Sequence, residues 1–200
     1  MEGGASEWIA RWCGQALARA VCAQFLPDGF HRELSIHYHW VALELAKCAR
    51  GLLASQAGDA AGEAAGDAAD TTLRLADGAL QAFLFDDGVV AAFGDSDASH
   101  GARMLACLDR WRSRRVGPAP MAEVFPWAGY AVARAPDADS RLILDLGPAG
   151  AGHQHEDWGS MWFRHAGRDV QVDPGRFAYE LAPDSFYADL RSSAAHSCVL

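Results

Sequence analysis

The sequence contains no asparagine. It also has no run of about 18 apolar residues, so no segment is long and apolar enough to cross a membrane as a helix. Met1 to Trp12 shows no basic stretch followed by an apolar one, so it does not read as a signal peptide. Cysteine is sparse and odd in number: Cys13, Cys22, Cys48, Cys107 and Cys198 form no CxxC pair. That excludes a disulfide framework and leaves buried thiols as the reading. Positive charge is in deficit. The net charge is −9 and no basic stripe runs along the chain, which argues against a nucleic-acid partner. Arg110, Arg112, Arg114 and Arg115 do lie close together, as a solvated helix end would place them.

What is present is enough for a core. The chain has 200 residues, 50% of them hydrophobic, with seven tryptophans, which suits one large domain or two small ones. Its character changes near residue 116. Before that point apolar residues recur at spacings of three and four. Trp8, Ile9, Trp12, Ala16, Leu17, Ala20 and Val21 mark a first helix, stopped by Pro27-Asp28-Gly29. Ser35 is a good N-cap for a second helix running through Trp40, Val41, Leu43, Leu45 and Leu52. A third is expected over residues 71–85 and a fourth over 100–114. Between the second and third, residues 58–69 repeat small and acidic residues and read as an exposed flexible insertion.

After Gly117-Pro118-Ala119-Pro120 the pattern becomes strand-like. Strands are expected over 129–134, 141–146, 161–164 and 169–172, with a hairpin turn at His165-Ala166-Gly167-Arg168. Ser197-Cys198-Val199-Leu200 reads as the start of another strand. Helices first and an antiparallel sheet after them give an α+β chain, not a parallel βαβ fold. The expected division is residues 1–116 and 117–200, and the unfinished look of both parts suggests an internal piece of a longer protein.

Chemistry concentrates in three places. His153 and His155 are two apart, so on a strand both face the same way, about 6.5 Å apart. Asp173 is fixed by the Pro-Gly after it, and His196 follows two alanines that permit close approach. Two histidines and a carboxylate make a divalent-metal ligand set with a fourth position open. A set of surface or hydrogen-bonded histidines fits the same spacing. In the second place, Tyr38 falls in the first turn of the helix capped by Ser35. The helix N-terminus favours negative charge there and would ease tyrosinate formation, as a proton-transfer group needs. Glu33 and His37 can pair beside it. The third is Gly94-Asp95-Ser96-Asp97, either a ligand-facing loop or a tight turn with its aspartates bonded to backbone, the turn being the simpler reading.

Four blocks taken together resemble the heparinase II/III family of polysaccharide lyases, which includes oligo-alginate lyases. They are Asp28-Gly29 through Glu33-x-Ser35-x-x-Tyr38-His39; Gly94-Asp95-Ser96-Asp97; Gly152-His153-Gln154-His155-x-Asp157; and Asp173-Pro174-Gly175 with Tyr179, closing on Ser192 to His196. The resemblance implies the last helices of an α/α toroid followed by the first part of an antiparallel β-sandwich, with the active site between them. It implies β-elimination at a uronic acid within an anionic polysaccharide. By family pattern Tyr38 and His153 are the catalytic residues. His155, Asp173 and His196 bind Zn2+, which mainly orders the site. Glu33, His39, Tyr179, Tyr187 and Arg191 face substrate.

The missing asparagine matters here. The family pairs an Asn with a His on an earlier toroid helix to engage the uronate carboxylate, and this sequence holds no such pair. The resemblance therefore allows two readings: a lyase whose activity in this chain alone is absent or feeble, or a carbohydrate-binding remnant without turnover. A scaffold with chance histidines is the third. Heparan sulfate, alginate and bacterial exopolysaccharide all remain open as substrates. A full-length parent would be expected in the periplasm or outside the cell, with a homodimer left open as one of its states.

Overall fold

The computed structural model describes residues 3–57, 59–136, 140–147, 152–178 and 186–198. Helix α1 spans Gly3–Gln24. It turns Ala10 and Val21 inward, while Trp8, Ile9 and Trp12 stay more than half exposed. The turn at Pro27-Asp28-Gly29 ends the segment as expected. Gly29 is obligatory there, because φ is +86° and a Cβ would lie 2.4 Å from the Leu75 backbone.

Helix α2 spans Ile36–Ala57. Ser35 precedes it, and its carbonyl accepts the first helical bond from His39 N–H at 2.8 Å. The capping oxygen for Ile36 N–H comes from a distant residue, Ser96 Oγ at 3.1 Å, which also meets Ser35 Oγ at 3.1 Å. The start of α2 is thus tied to the 94–97 loop.

Helix α3 spans Asp59–Phe83. This corrects the expected insertion, since the small-residue repeat is helical from Asp59 onward. Alanine is the strongest helix former and outweighs the interspersed glycines. Only Gly66, at φ 71° and ψ 160°, breaks the run. Helix α4 covers Gly101–Arg110 and is shorter than expected, ending where Arg112 takes φ 51°. Asp86-Asp87-Gly88 makes the expected turn, and Val90 to Phe93 then crosses the interior, each at most 3% exposed.

The sheet is a five-stranded antiparallel meander in chain order. Its strands are β1 Ala122–Phe125, β2 Tyr130–Arg134, β3 Arg141–Asp145, β4 Met161–His165 and β5 Arg168–Gln171. Strand β1 was not expected. It is only four residues long and lies between proline-rich segments, too short to show a period. The β4–β5 turn places Ala166 and Gly167 at φ 47° and 73°, the left-handed pair that a two-residue hairpin favours. Ser197 and Cys198 are not in a strand, and residues 199–200 lie outside the described ones.

Helices and sheet share one apolar cluster. Phe30, Phe83 and Phe93 pack with Phe125, Tyr130, Val132, Ile143 and Trp162. Polar contacts lock the junction. Asp28 Oδ2 accepts from the N–H groups of Trp127 and Ala128 at 2.8 and 2.9 Å, and Tyr130 Oη donates to the Leu34 carbonyl at 2.9 Å. The α+β architecture read from the sequence is the one observed.

Candidate active site

The loop after β3 returns across one end of the sheet and carries the histidine block. Backbone bonds fix it there. Asp145 N–H donates to the Ser160 carbonyl at 2.9 Å, and Asp95 N–H donates to the His153 carbonyl at 2.7 Å. Gly94 permits that approach, since a Cβ on it would sit 2.6 Å from the His153 oxygen. Three segments remote in sequence therefore meet: the start of α2, the 94–97 loop and the 153–157 loop.

Tyr38 and His153 stack face to face, with centroids 3.7 Å apart and planes 16° from parallel. His153 Nδ1 bonds to Asp95 Oδ2 at 3.0 Å, and its Nε2 lies 3.7 Å from Glu33 Oε2. Glu33 thus faces His153 and not His37, which packs instead against Tyr38, Trp40 and His100. The expected easing of tyrosinate formation is not found. Burial pushes the Tyr38 pKa up, and the Asp95 and Glu33 charges add to that against the lowering by Arg176.

Asp95 joins two sites. Its other oxygen, Oδ1, bonds to His155 Nε2 at 2.9 Å. Arg191 Nη1 lies 3.5 Å from Oδ2 and its Nη2 donates to the carbonyls of Gly152 and Gln154 at 3.0 and 2.9 Å. Burial alone would raise the Asp95 pKa, but the His155 and His153 hydrogen bonds and the Arg191 charge hold it below the usual value. Asp95 stays ionised and orients both imidazoles. The sequence signal for it is the Gly-Asp-Ser-Asp block, for which a tight turn is the simpler reading. Asp97 does take the turn role, accepting from Ser99 N–H at 2.8 Å.

Behind Asp95 is a buried polar chamber. Ligand-type atoms of His155, Asp157 and His196 lie within 4.8 Å of one another. His155 Nε2 faces Asp95, and His196 Nδ1 bonds to Asp173 Oδ2 at 2.7 Å. With those nitrogens as donors, the lone pairs fall on His155 Nδ1 and His196 Nε2. Both of these atoms are buried without a hydrogen-bond partner, and so is Asp157 Oδ2. Unpartnered buried acceptors are costly. The carboxylates add to the cost. Burial, then Asp157, then Asp173 raise the Asp145 pKa to about 7, and burial and Asp173 raise that of Asp157. Two imidazole nitrogens and a carboxylate oxygen, each imidazole backed by a carboxylate, fit a divalent cation.

The expected ligands are therefore placed close together, with one difference. His155 and His196 converge with Asp157. Asp173 stands against His196 Nδ1, where it also accepts from Ser160 Oγ at 2.8 Å and Gly175 N–H at 3.0 Å. Burial opposes protonation of His196, but Asp173 and Asp157 outweigh it and raise its pKa.

Among the expected substrate-facing residues, Glu33 and Arg191 are partly exposed beside His153. His39 is not available. It is 0% exposed, accepts from His31 N–H at 3.0 Å through Nδ1, and meets the Ala76 carbonyl at 2.9 Å through Nε2. It is a core residue that holds the start of α2 against α3. Tyr187 lies in a 3-10 turn, Phe186–Arg191, but its side chain falls outside the described ones. Tyr179 lies outside the described residues altogether.

The fold has counterparts of known structure. A heparinase III gene product matches with a TM-score of 0.78 at 21% identity, over 90% of this chain and 31% of its own. Heparan sulfate lyase HepC from Pedobacter heparinus matches with a TM-score of 0.74 at 22% identity, over 90% of this chain and 31% of its own. A further heparinase III matches with a TM-score of 0.71 at 20% identity, over 92% and 33%. The chain thus spans about a third of the length of these proteins. No curated protein matches in sequence. Two family profiles do match: the heparinase II/III N-terminus over residues 4–115, and the heparinase II/III-like C-terminal domain over residues 117–200. On those matches, which together take in nearly every residue, the chain belongs to the heparinase II/III family.

Proposed function

We propose that this chain carries part of the active site of a lyase that cleaves an anionic, uronate-containing polysaccharide by β-elimination. The single observation that supports it most is the Tyr38–His153 stack, anchored by Asp95 at the junction of helices and sheet. In the reaction a base removes the C5 proton, C4 and C5 form a double bond, the C4–O bond breaks, and the leaving oxygen takes a proton. Tyr38 Oη transfers the proton, and His153, held by Asp95, assists from the sheet side. Glu33 and Arg191 border the substrate. The raised pKa of Tyr38 suits delivery of a proton to the leaving oxygen, while His153, stacked on it, takes the C5 proton.

Zn2+ would be held in the adjacent chamber by His155, Asp157 and His196, with Asp173 behind His196. Bound there, the ion would order the 153–157 loop through His155, and so help to fix His153. A parent protein of this class works in the periplasm or outside the cell. The raised pKa of Tyr38, which disfavours tyrosinate as a base, supports a second reading, in which the chain binds the polysaccharide without turning it over.

The test is a direct one. The purified chain, loaded with zinc, is incubated separately with heparan sulfate and alginate, and the unsaturated uronate product is followed by its ultraviolet absorbance. Product that disappears in Tyr38→Phe supports the lyase reading. No product, with saturable retention of the polysaccharide by the folded chain, gives the binding reading. Neither product nor binding sinks both.

A further inference from the structure

The opposite end of strands β2 and β3 carries a second polar cluster. Register pairs Arg134 with Arg141 and Arg141 with Arg164, so three guanidinium side chains stand in a row across adjacent strands. Like charges directly opposite one another destabilise a sheet pair. The two outer arginines are compensated. Arg134 Nη1 lies 2.5 Å from Glu123 Oε2, and Arg164 pairs with Asp87. Arg141, in the middle, has no carboxylate within ion-pair distance among the described residues.

What Arg141 has instead is weaker. Its Nη1 donates to the carbonyls of Ala82 and Leu84, at 2.9 and 3.1 Å, and its guanidinium sits 4.2 Å over the Phe85 ring. Those carbonyls are the end of α3, where cations are favoured. Its Nε remains buried without a partner. Burial and the Arg134 charge depress the Arg141 pKa to about 10, so its charge is held here at a cost.

Arg141 lines an open cavity of about 410 Å³ together with Arg114, Arg115 and Arg134. Arg115 pairs with Glu123 at 2.6 Å, and Arg114 reaches Asp109 at 2.5 Å and Asp86 at 3.9 Å. Four guanidiniums are thus answered by three carboxylates, Glu123, Asp109 and Asp86, and the unanswered one is Arg141. Leu84, Leu105 and Leu108 form an apolar wall. The size is within the range of small-molecule sites. A guanidinium cluster presents planar forks that match tetrahedral or planar oxoanions.

We propose that this cleft is a second ligand site, separate from the Tyr38 site, and that it binds a sulfate-type oxoanion on Arg141 with Arg114 and Arg134 around it. The oxoanion comes either as a free inorganic ion or as a sulfate ester on a sugar. The proposal does not rest on the lyase reading, because no residue of the Tyr38 site lines the cleft.

Calorimetric titration of the folded chain tests it, with sodium sulfate, a 6-O-sulfated hexosamine and the unsulfated hexosamine, all against sodium chloride at equal ionic strength. Saturable 1:1 heat with sulfate, absent with chloride, is expected. The sulfated sugar binding more tightly than sulfate identifies an ester-borne group, and the reverse identifies the free ion. Arg114→Ala, a partly exposed side chain, is expected to weaken binding about tenfold. Arg141→Met keeps part of the aliphatic stem but removes the guanidinium, and is expected to abolish binding. If Arg141→Met does not fold, Arg114→Ala decides alone. Sulfate heats equal to those of chloride, or an unchanged affinity in Arg114→Ala, would overturn the site.

Discussion

The Tyr38 phenol lies flat against the His153 imidazole, ring centroids 3.7 Å apart, although 115 positions separate them in the chain. One ring comes from the first turn of α2 and the other from the loop after β3, so the stack exists only when helices and sheet are docked. Tyr38→Phe keeps the ring and removes the oxygen. The expected outcome is an unchanged melting temperature, unchanged metal binding, and a loss of at least about 100-fold in any lyase turnover. Initial rates of unsaturated-uronate formation, with melting curves alongside, check it. Turnover retained in Tyr38→Phe would remove the hydroxyl from the chemistry.

Asp95 couples that stack to the metal chamber, and its two oxygens serve different histidines. Asp95→Asn retains the shape but loses the charge and one acceptor. Backing carboxylates of this kind tune metal affinity by about 10–100-fold. Zinc affinity measured by competition with a chromophoric chelator is expected to fall by that amount. The same loss with no effect on any turnover would confine Asp95 to the metal side.

The metal chamber also makes a prediction that separates two aspartates. Asp157 Oδ2 is the unpartnered carboxylate oxygen near His155 Nδ1 and His196 Nε2, whereas Asp173 is occupied by His196 Nδ1, Ser160 and Gly175. Asp157→Asn is therefore expected to abolish tight zinc binding, and Asp173→Asn to weaken it about 10–100-fold through His196. The opposite ranking, in the same chelator competition, would make Asp173 the direct ligand, as the family pattern implies.

The expectations that held and those that failed divide along physical lines. Turn chemistry was legible: Gly29 and the Ala166-Gly167 pair are dictated locally, and the sequence marks them. Helix existence was legible from periodicity, but the inward face of α1 was not, because Trp8, Ile9 and Trp12 share the period of the buried positions and yet are exposed. Residues 58–69 read as an exposed flexible insertion because they are small and acidic. In a helix the same alanines are favourable, and composition alone does not separate the two. At the site, His153, His155, Asp173 and His196 were visible as residue types. Their division into orienting and ligating roles was not, since it depends on which nitrogen faces which carboxylate. His39 misled for a related reason. Its neighbour Tyr38 faces the cleft, and one position further round the helix points into the core.

Asp28 gives a stability prediction at the joint between the two halves. One carboxylate oxygen accepts from two successive sheet-side N–H groups, Trp127 and Ala128, and the other from Phe30 N–H at 3.2 Å. Asp28→Ala leaves these donors to find water. A loss of about 2 kcal/mol is expected, which for a chain of this size lowers the melting temperature by about 4–8 °C. Asp28→Asn keeps one oxygen and should lose less than half as much. Thermal unfolding by circular dichroism checks both, and a melting temperature unchanged in Asp28→Ala would mean that the contacts at Asp28 are not what holds the joint.

His39 predicts how stability responds to acid. Burial lowers its pKa from 6.5 to about 3, against the opposing effect of the Ala76 carbonyl. Folded, it stays neutral down to about pH 3; unfolded, it takes up a proton below about pH 6.5. Between these values the unfolded chain binds the extra proton, so stability is full above pH 6.5 and falls as the pH drops, by up to about 1.4 kcal/mol per unit. Asp145 works in the opposite sense. Its raised pKa of about 7 gives stability at low pH that is lost as pH rises. The wild-type curve therefore mixes both, and a difference measurement isolates the histidine. His39→Phe fills the same core space with a ring that cannot protonate. It forfeits two buried hydrogen bonds and is destabilised by about 2–4 kcal/mol at pH 7. Urea unfolding at half-unit steps from pH 7 to pH 4 should show the gap between wild type and His39→Phe closing as the pH falls. A gap that stays constant would mean that His39 is not a source of the acid sensitivity.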